Sequence, residues 1–417
     1  MERALLVQKY GGTSVGDAER IRNVAGRIAA AHAGGNKVVA VVSAMGKTTD
    51  DLIDLAESIA RDPAPRDLDL LLSTGETISC ALMAMALREI GVDAVALGGG
   101  QAGIRTDDVH GKASIVAVDP KRVRAEFDKG RVVIVAGFQG FTEELDVTTL
   151  GRGASDLTAV AMAAALGAER CEVYTDVEGI FTADPRVVPN ARVLREVSYE
   201  EMLELASYGA KMQPRSIELA ARYQTPVLVA SSMSGAPGTL IHGAAERTGE
   251  AMEVRNKVSG VTYERGVARI TVRAVPDRPG VAAALFTPLA EAGVSVDTIV
   301  QNASAERLTD LSFTVDAPDL ARALAVARPI AEKIGAAEVG GSAGLGSVSI
   351  VGTGMQNAPG YAARMFRALH EAQANIEMIT TSQIRITCLV DESHVERAVR
   401  ALHDAFELAR EDAATGG

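Results

Sequence analysis

The stretch 5–17, "LLVQKYGGTSVGD", begins as an unbroken apolar run, turns at Gly11-Gly12 and reaches a helix-starting aspartate at Asp17. An apolar run that does not alternate is a strand covered on both faces, and such strands belong to parallel sheets with helices above and below. The same rhythm returns at "KVVAVVSAM" (37–45), "VDAVALGG" (92–99), "RVVIVAGFQG" (131–140), "CEVYTDVEG" (171–179) and "TPVLVASS" (225–232). Between them, 17–33, 76–90 and 211–223 read as amphipathic helices. The alternation implies an α/β fold, a largely parallel sheet sandwiched by helices, whose ligands gather at the carboxyl ends of the strands.

The chain's 417 residues exceed one ordinary domain, and 47% hydrophobic with 23% charged residues is the balance of a soluble globular protein. With no Trp and only 4% aromatics, the core must be aliphatic. Asp and Glu number 54 against 42 Lys and Arg, a net charge of −12, which argues against nucleic acid as the main partner. Any anionic ligand must therefore be met by a few placed cations. Cys80, Cys171 and Cys388 sit alone in apolar surroundings and read as buried thiols of a reducing compartment. The opening "MERALLVQKY" lacks a signal-peptide core, and no segment reads as long enough to span a membrane; the expected location is the cytoplasm.

After about residue 255 the rhythm changes and an internal repeat appears. "ARITVRAVPDRPGVAAALFTPLAEAGVSVDTI" matches "SVSIVGTGMQNAPGYAARMFRALHEAQANIEMI", with Pro279-Gly280 recurring as Pro359-Gly360 and Ile299 as Ile379 at one constant spacing. Each copy reads as a ferredoxin-like unit with its helices on one face of the sheet. Neither covers its own sheet edges, so the two are expected side by side. The expected divisions are 1–245 for the α/β part, 246–262 for a linker and first strand, 263–340 and 341–417 for the repeats.

Chemistry concentrates in the loops. Lys9 ends a strand and Gly11-Gly12 follow it, a backbone cradle for an anion with a point charge beside it. The spacing differs from the ordinary P-loop. In "TTLGRGASD" (148–156), Gly151 and Gly153 allow close backbone approach, Arg152 can grip a carboxylate bidentately, and Ser155 or Asp156 can cap the alanine-rich helix that follows. "YTDVEGIFTADPR" (174–186) is a turn-rich loop at another strand end. Lys211, at a helix N-terminus, opposes the helix dipole and calls for an anion nearby. The six histidines are scattered, with no metal cage and no Ser-His-Asp arrangement. Three cations around glycine loops therefore point to a carboxylate substrate beside a phosphate donor.

These motifs resemble those of the aspartate kinases, an amino-acid kinase family with C-terminal tandem ACT domains. "KYGGTS" (9–14), "SAMGKTTDDL" (43–52), "STGE" (73–76), "TTLGRGASDLTA" (148–159), "YTDVEGIFTADPR" and "NIEMITTSQIRI" (375–386) carry the likeness in family order. The resemblance implies ATP-dependent formation of 4-phospho-L-aspartate, with Mg²⁺ carried by the nucleotide rather than by a dedicated protein site. It assigns Lys9 and Lys211 to the transferring phosphate, and Asp156 to orienting those lysines or helping to place the metal. Arg152, Gly153, Ala154, Ser155, Glu76, Thr48 and Thr49 fall to the substrate, with Arg152 on a carboxylate and Glu76 on the ammonium. The nucleotide falls to Lys9, Tyr10, Gly11, Gly12, Ser43, Thr175, Asp176, Phe181, Thr182, Ala183, Asp184, Pro185, Arg186 and Lys211.

In the repeats, the resemblance assigns an amino-acid effector, lysine or threonine or both, to Asp277, Arg278, Pro279, Gly280, Val281, Ala282, Gln301, Tyr361, Asn375, Ile376, Ser382 and Gln383. It further implies either a homodimer or an α2β2 assembly whose regulatory polypeptide starts internally, at Met252. Departures from the family pattern are Ala154 and Leu157, where Gly and Thr are usual, and Gln383, where Glu is frequent. Kinases of other amino-acid carboxylates, and a non-catalytic amino-acid sensor, are the rival readings.

Overall fold

The computed structural model describes residues 4–207, 212–243, 258–302, 307–355 and 359–410. Its contacts divide the chain into two units, Met1–Ile180 with Val193–Gly249, and Phe181–Arg192 with Glu250–Gly417.

The first unit runs β1 (Leu5–Tyr10), α1 (Ala18–Ala33), β2 (Lys37–Val42), α2 (Thr48–Ile59), α3 (Pro65–Glu89), β3 (Ala94–Leu97), β4 (Ile104–Thr106), β5 (Ile115–Val118), α4 (Lys121–Phe127), β6 (Val132–Ala136), β7 (Gln139–Phe141) and β8 (Val147–Thr149). It continues through α5 (Ser155–Leu166), β9 (Arg170–Thr175), β10 (Glu196–Ser198), α6 (Tyr199–Ser207), α7 (Pro214–Tyr223), β11 (Val227–Ser231) and β12 (Thr239–His242). Eight strands form one sheet in the order β10-β12-β11-β9-β1-β2-β6-β3. The six apolar runs of the sequence are its contiguous block from β11 to β3, all parallel. Only β12 runs against its neighbour β11. A smaller sheet, β5-β4-β7-β8, stands apart.

The strands bury Val38 through Val42 and Val132 through Ala136 completely, each aliphatic side chain contributing roughly 1.5–3 kcal/mol relative to exposure. Helix α1 starts where Asp17 accepts a bond from the Arg20 amide at 2.9 Å. Helix α5 packs on the sheet through small residues, with Ala159, Ala161 and Ala163 buried. Contrary to the sequence reading, α3 is long and apolar enough to cross a bilayer by length and composition. Half of its apolar window is buried within the unit, and Asp69 and Glu76 lie inside, so it serves as a core helix.

The second unit contains β13 (Gly260–Pro276), α8 (Val281–Glu291), β14 (Ile299–Gln301), β15 (Leu308–Asp316), α9 (Leu320–Ile334), β16 (Glu338–Val351), α10 (Tyr361–Glu371), β17 (Met378–Thr381), β18 (Arg385–Asp391) and α11 (Val395–Ala405). Its six strands form one antiparallel sheet, β14-β15-β13-β16-β18-β17, so the repeats do lie side by side. The two long strands are shared. Val261 and the ring of Tyr263, in the first half of β13, pack with α10 and α11. Ala268, Ile270 and Val272, in its second half, pack with α8 and α9. Strand β16 divides likewise, Val339 packing with the α8–α9 core and Val348 and Ile350 with the α10–α11 core.

The sequence divisions put 181–192 in the α/β part, yet it packs with the repeats. Ala183, Val187 and Val188 join the core of the second repeat, and the Val261 amide donates to Thr182 O at 2.8 Å.

Candidate active site

Strands β1, β2 and β9 run parallel, and their carboxyl ends bring Lys9, Ser43 and Thr175 to one edge of the sheet. Lys9 Nζ stands 2.7 Å from Asp156 Oδ1, with the two side chains 12% and 8% exposed. Asp156 lies in the first turn of α5, where the helix dipole favours a negative charge. A pair this enclosed fixes the ammonium in place, because separating the ions would strand a buried charge. The turn that follows demands glycine. A Cβ at Gly12 would stand 2.8 Å from Ala44 O, and the Gly46 amide donates to Gly12 O at 3.1 Å, locking the first two strand-end loops together.

Glu76 projects from α3 into the same region and is 4% exposed. Its Oε1 accepts from the Ala44 amide at 3.1 Å, while Oε2 is buried without a partner among the described residues. Burial pushes this carboxyl up to about 7, against the smaller opposing pull of the Ala44 amide. Beside it, Thr48 opens α2 and spends its hydroxyl on Met45 O at 2.7 Å; Thr49 is half-buried.

Arg152 is 75% exposed and pairs with Asp50 Oδ1 at 2.9 Å. Asp50 escaped the sequence reading, although it directly follows Thr48-Thr49 in the motif already singled out. Its carboxylate occupies the guanidinium, and an exposed pair of this kind contributes only about 0–1 kcal/mol. Gly151 (φ 93°) and Gly153 (φ 76°) flank it in the left-handed region. Ala154 adopts φ −75°, ψ 3°, a backbone open to any residue, so the departure from glycine costs nothing there. Ala154 and Leu157 both fall in one apolar cluster with Leu72, Ala113, Phe138 and Leu150. The cap position of α5 is Ala154, and no side chain bonds across it, so neither Ser155 nor Asp156 is the cap. Ser155 is buried against Gly137 instead, where a Cβ would meet its Oγ at 2.7 Å.

Of the residues expected around a nucleotide, Gly11, Gly12, Ser43, Thr175 and Asp176 lie on these strand-end loops. Tyr10 points the other way: it is fully buried, stacks on Tyr174 at 5.1 Å and donates to Gln8 Oε1 at 3.1 Å, leaving only its backbone to the loop. Phe181 through Arg186 belong to the second unit. There Thr182 is buried against His403 (Oγ1 to Nε2, 3.0 Å), Ala183 is core, and Asp184 binds Arg186 at 2.6 Å and accepts from the Tyr263 hydroxyl at 3.1 Å. Pro185 is exposed. Lys211 lies outside the described residues.

In the first repeat the expected effector residues converge. Asp277, Arg278, Gly280, Val281, Ala282 and Gln301 line a cavity of about 100 Å³ with Val275 and Leu311, and Pro279 lies within the same loop. Gly280 caps α8 at φ 93°, and Gly360 caps α10 at φ 104° in the second copy. The second-repeat residues do not line that cavity. Tyr361 stacks on Phe406 at 6.2 Å, Ile376 packs on the same core, Asn375 donates to Glu377 Oε1 at 3.1 Å, and Ser382 and Gln383 are exposed. Strands β14 and β17 are opposite edges of the sheet, which separates Gln301 from Ser382 and Gln383.

Residues 4–231 match the model of the amino acid kinase family, and 268–332 and 348–406 each match an ACT domain. An aspartate kinase of Stutzerimonas stutzeri is 49% identical over 97% of this chain and 98% of its own. Among solved structures, E. coli aspartokinase III in complex with aspartate and ADP superposes with a TM-score of 0.79 at 27% identity, covering 96% of this chain and 99% of that one. The same enzyme in complex with lysine and aspartate gives a TM-score of 0.72 at 26% identity, with the same coverage. An amino acid kinase domain with Lys9 at a strand end, followed by two ACT domains in one sheet, and near-half identity along almost the whole length together make this chain a member of the aspartokinase family.

Proposed function

We propose that this chain transfers the γ-phosphoryl group of ATP to the β-carboxylate of L-aspartate, giving 4-phospho-L-aspartate and ADP, the entry to lysine, threonine and methionine synthesis. The observation that carries the reading is the enclosed Lys9–Asp156 pair at the glycine turn, together with the Glu76 carboxylate oxygen that is buried without a partner among the described residues. Lys9 neutralises the transferring phosphate oxygens, joined by Lys211, and Asp156 keeps Lys9 aimed. Glu76 receives the substrate ammonium, which supplies the missing partner of Oε2. Arg152 exchanges Asp50 for the substrate carboxylate, and Thr48, Thr49, Gly153, Ala154 and Ser155 wall the pocket.

A β-carboxylate with a reference pKa of about 3.9 is already ionised at neutral pH, so no general base is required. The chain's task is to align donor and acceptor and to stabilise charge. Among the described residues no group of three or more metal-ligating side chains exists. One carboxylate, Asp156, beside a glycine turn suits Mg²⁺ that arrives on the nucleotide. When bound it would supply further neutralisation of phosphate charge.

The ACT domains bind lysine, threonine or both at the cavity beside Asp277, and binding lowers activity. Lysine in the T-state structure of the E. coli relative supports this reading. So does the packing of Phe181–Arg192 into the second repeat, which ties a motif read as nucleotide-binding to the regulatory core. The enzyme works in the cytoplasm, as a homodimer or as α2β2 with a regulatory polypeptide starting at Met252, a residue outside the described ones.

A hydroxamate assay with ATP, Mg²⁺ and aspartate, glutamate or N-acetylglutamate tests the activity, repeated with lysine and threonine added. Product with aspartate alone is expected. Preference for another acceptor, or no product at all, overturns the reading in favour of a different carboxylate kinase or a sensor.

A further inference from the structure

Asp69 lies on α3, only 1% exposed, and takes no part in the chemistry above. Its carboxylate nevertheless gathers three segments of the first unit. Oδ2 lies 2.8 Å from His110 Nδ1, the Gly111 amide donates to both oxygens at 3.1 and 3.0 Å, and Thr149 Oγ1 donates to Oδ1 at 2.5 Å. His110 and Gly111 sit in the loop joining β4 to β5, and Thr149 is the last residue of β8, just ahead of Gly151-Arg152-Gly153. Further bonds close the same joint. The Ala113 amide donates to Thr149 O at 2.9 Å, and Arg215 donates to Leu150 O at 2.8 Å and to Ala113 O at 2.9 Å. Gly111 O and Lys112 Cγ each stand 3.7 Å from where a Cβ on Gly151 would be.

We infer that Asp69 and His110 are positioning residues for the substrate loop, acting on aspartate binding through Arg152. The inference rests on the reading of Arg152 as the substrate's carboxylate grip. Among the described residues Arg152 is held only by an exposed pair with Asp50, and a bidentate grip needs a fixed guanidinium plane. The side chain cannot supply that fixity, so the backbone of 149–151 must. A buried carboxylate costs stability unless its oxygens are fully bonded. Placing one where two loops meet beside Arg152 gives up apolar packing in return for defined loop height and angle. With Nδ1 as the donor, His110 completes the set of bonds to Asp69 that Gly111 and Thr149 begin.

The test compares steady-state KM for aspartate and for ATP in wild type, Arg152→Ala, His110→Ala, His110→Asn and Thr149→Val. His110→Ala should raise KM for aspartate about tenfold while KM for ATP stays within about twofold. His110→Asn, whose amide can donate in place of Nδ1, should return KM for aspartate to within about threefold of wild type. Thr149→Val keeps the side-chain volume, removes one donor and should raise KM for aspartate about fivefold; if His110→Ala fails to fold, Thr149→Val decides. Unchanged KM for aspartate in these variants, with Arg152→Ala impaired, overturns the positioning role and leaves the grip standing. Unchanged values in Arg152→Ala as well overturn both. Equal rises in the two KM values mark a merely structural contact and also overturn it.

Discussion

The two units of this protein prepare for their ligands in opposite ways. In the catalytic unit the charges are already engaged: Lys9 with Asp156, Arg152 with Asp50, and one oxygen of Glu76 with the Ala44 amide. In the regulatory unit the residues around Asp277 enclose a space of about 100 Å³. On the proposed reading the first site works by exchange, each ligand group displacing or completing an internal partner that already fixes the geometry. The second works by filling. Charge deletions should therefore dominate in one unit and changes of volume in the other.

The largest expected effect tests the exchange side. Lys9→Ala should lower turnover about a thousandfold or more while calorimetry still detects lysine or threonine binding to the same protein. Near-normal turnover would break the contrast at its strongest point. A second test uses the acidity of Glu76, raised to about 7 by burial. The role proposed for Glu76 requires the ionised carboxylate to meet the ammonium, so KM for aspartate should fall about tenfold between pH 6 and pH 8, and Glu76→Gln should lose that slope. The sign for stability is the reverse of an ordinary paired carboxylate. The folded chain holds this proton more tightly than the unfolded one, so the group's contribution to stability declines as pH rises from about 4.5 to about 7, and denaturant titrations of wild type against Glu76→Gln will show it.

Filling is tested by Ala282→Leu, which adds volume to the cavity wall without altering charge. The effector concentration for half-inhibition should rise about tenfold, and an unchanged value would dissolve the distinction between the two sites. The smallest effect concerns the segment shared in sequence with the catalytic motifs. Thr182→Val removes the bond to His403, whose burial lowers its basicity and keeps it neutral, and should cost about 1 kcal/mol in denaturant unfolding.

Much of this was legible in the chain. The six parallel strands announce themselves because burial on both faces leaves no room for alternation, and the repeats show through Pro-Gly turns that place a left-handed glycine before each helix. The residues expected to hold an effector in the first repeat line one cavity because one loop carries most of them. What stayed hidden lacks a local signature. The strands of the small sheet are three or four residues long, too short for a pattern. Asp69 meets Thr149 across 80 residues and His110 across 41, and nothing near any of them hints at the others. Phe181–Arg192 reads as a continuation of the catalytic loops because chain order says nothing of which core an apolar side chain enters. Repetition also concealed something: the exposed edges call for side-by-side packing, but matching copies give no sign that β13 and β16 each run through both cores.

That doubling of two strands bears on how the regulatory half is made and unmade. The first residues of β13 are synthesised before either repeat is complete, yet their cross-strand partners Ser347–Val351 are not made until the first copy has been finished, so the middle of the sheet can close only once the second copy has begun to emerge. Neither ACT domain can be excised intact: a cut near Gly266 takes a strand from one and leaves an open edge on the other. The pair is therefore expected to melt as one unit in a single transition, and any separately expressed regulatory polypeptide that keeps these pairs must begin ahead of Gly260.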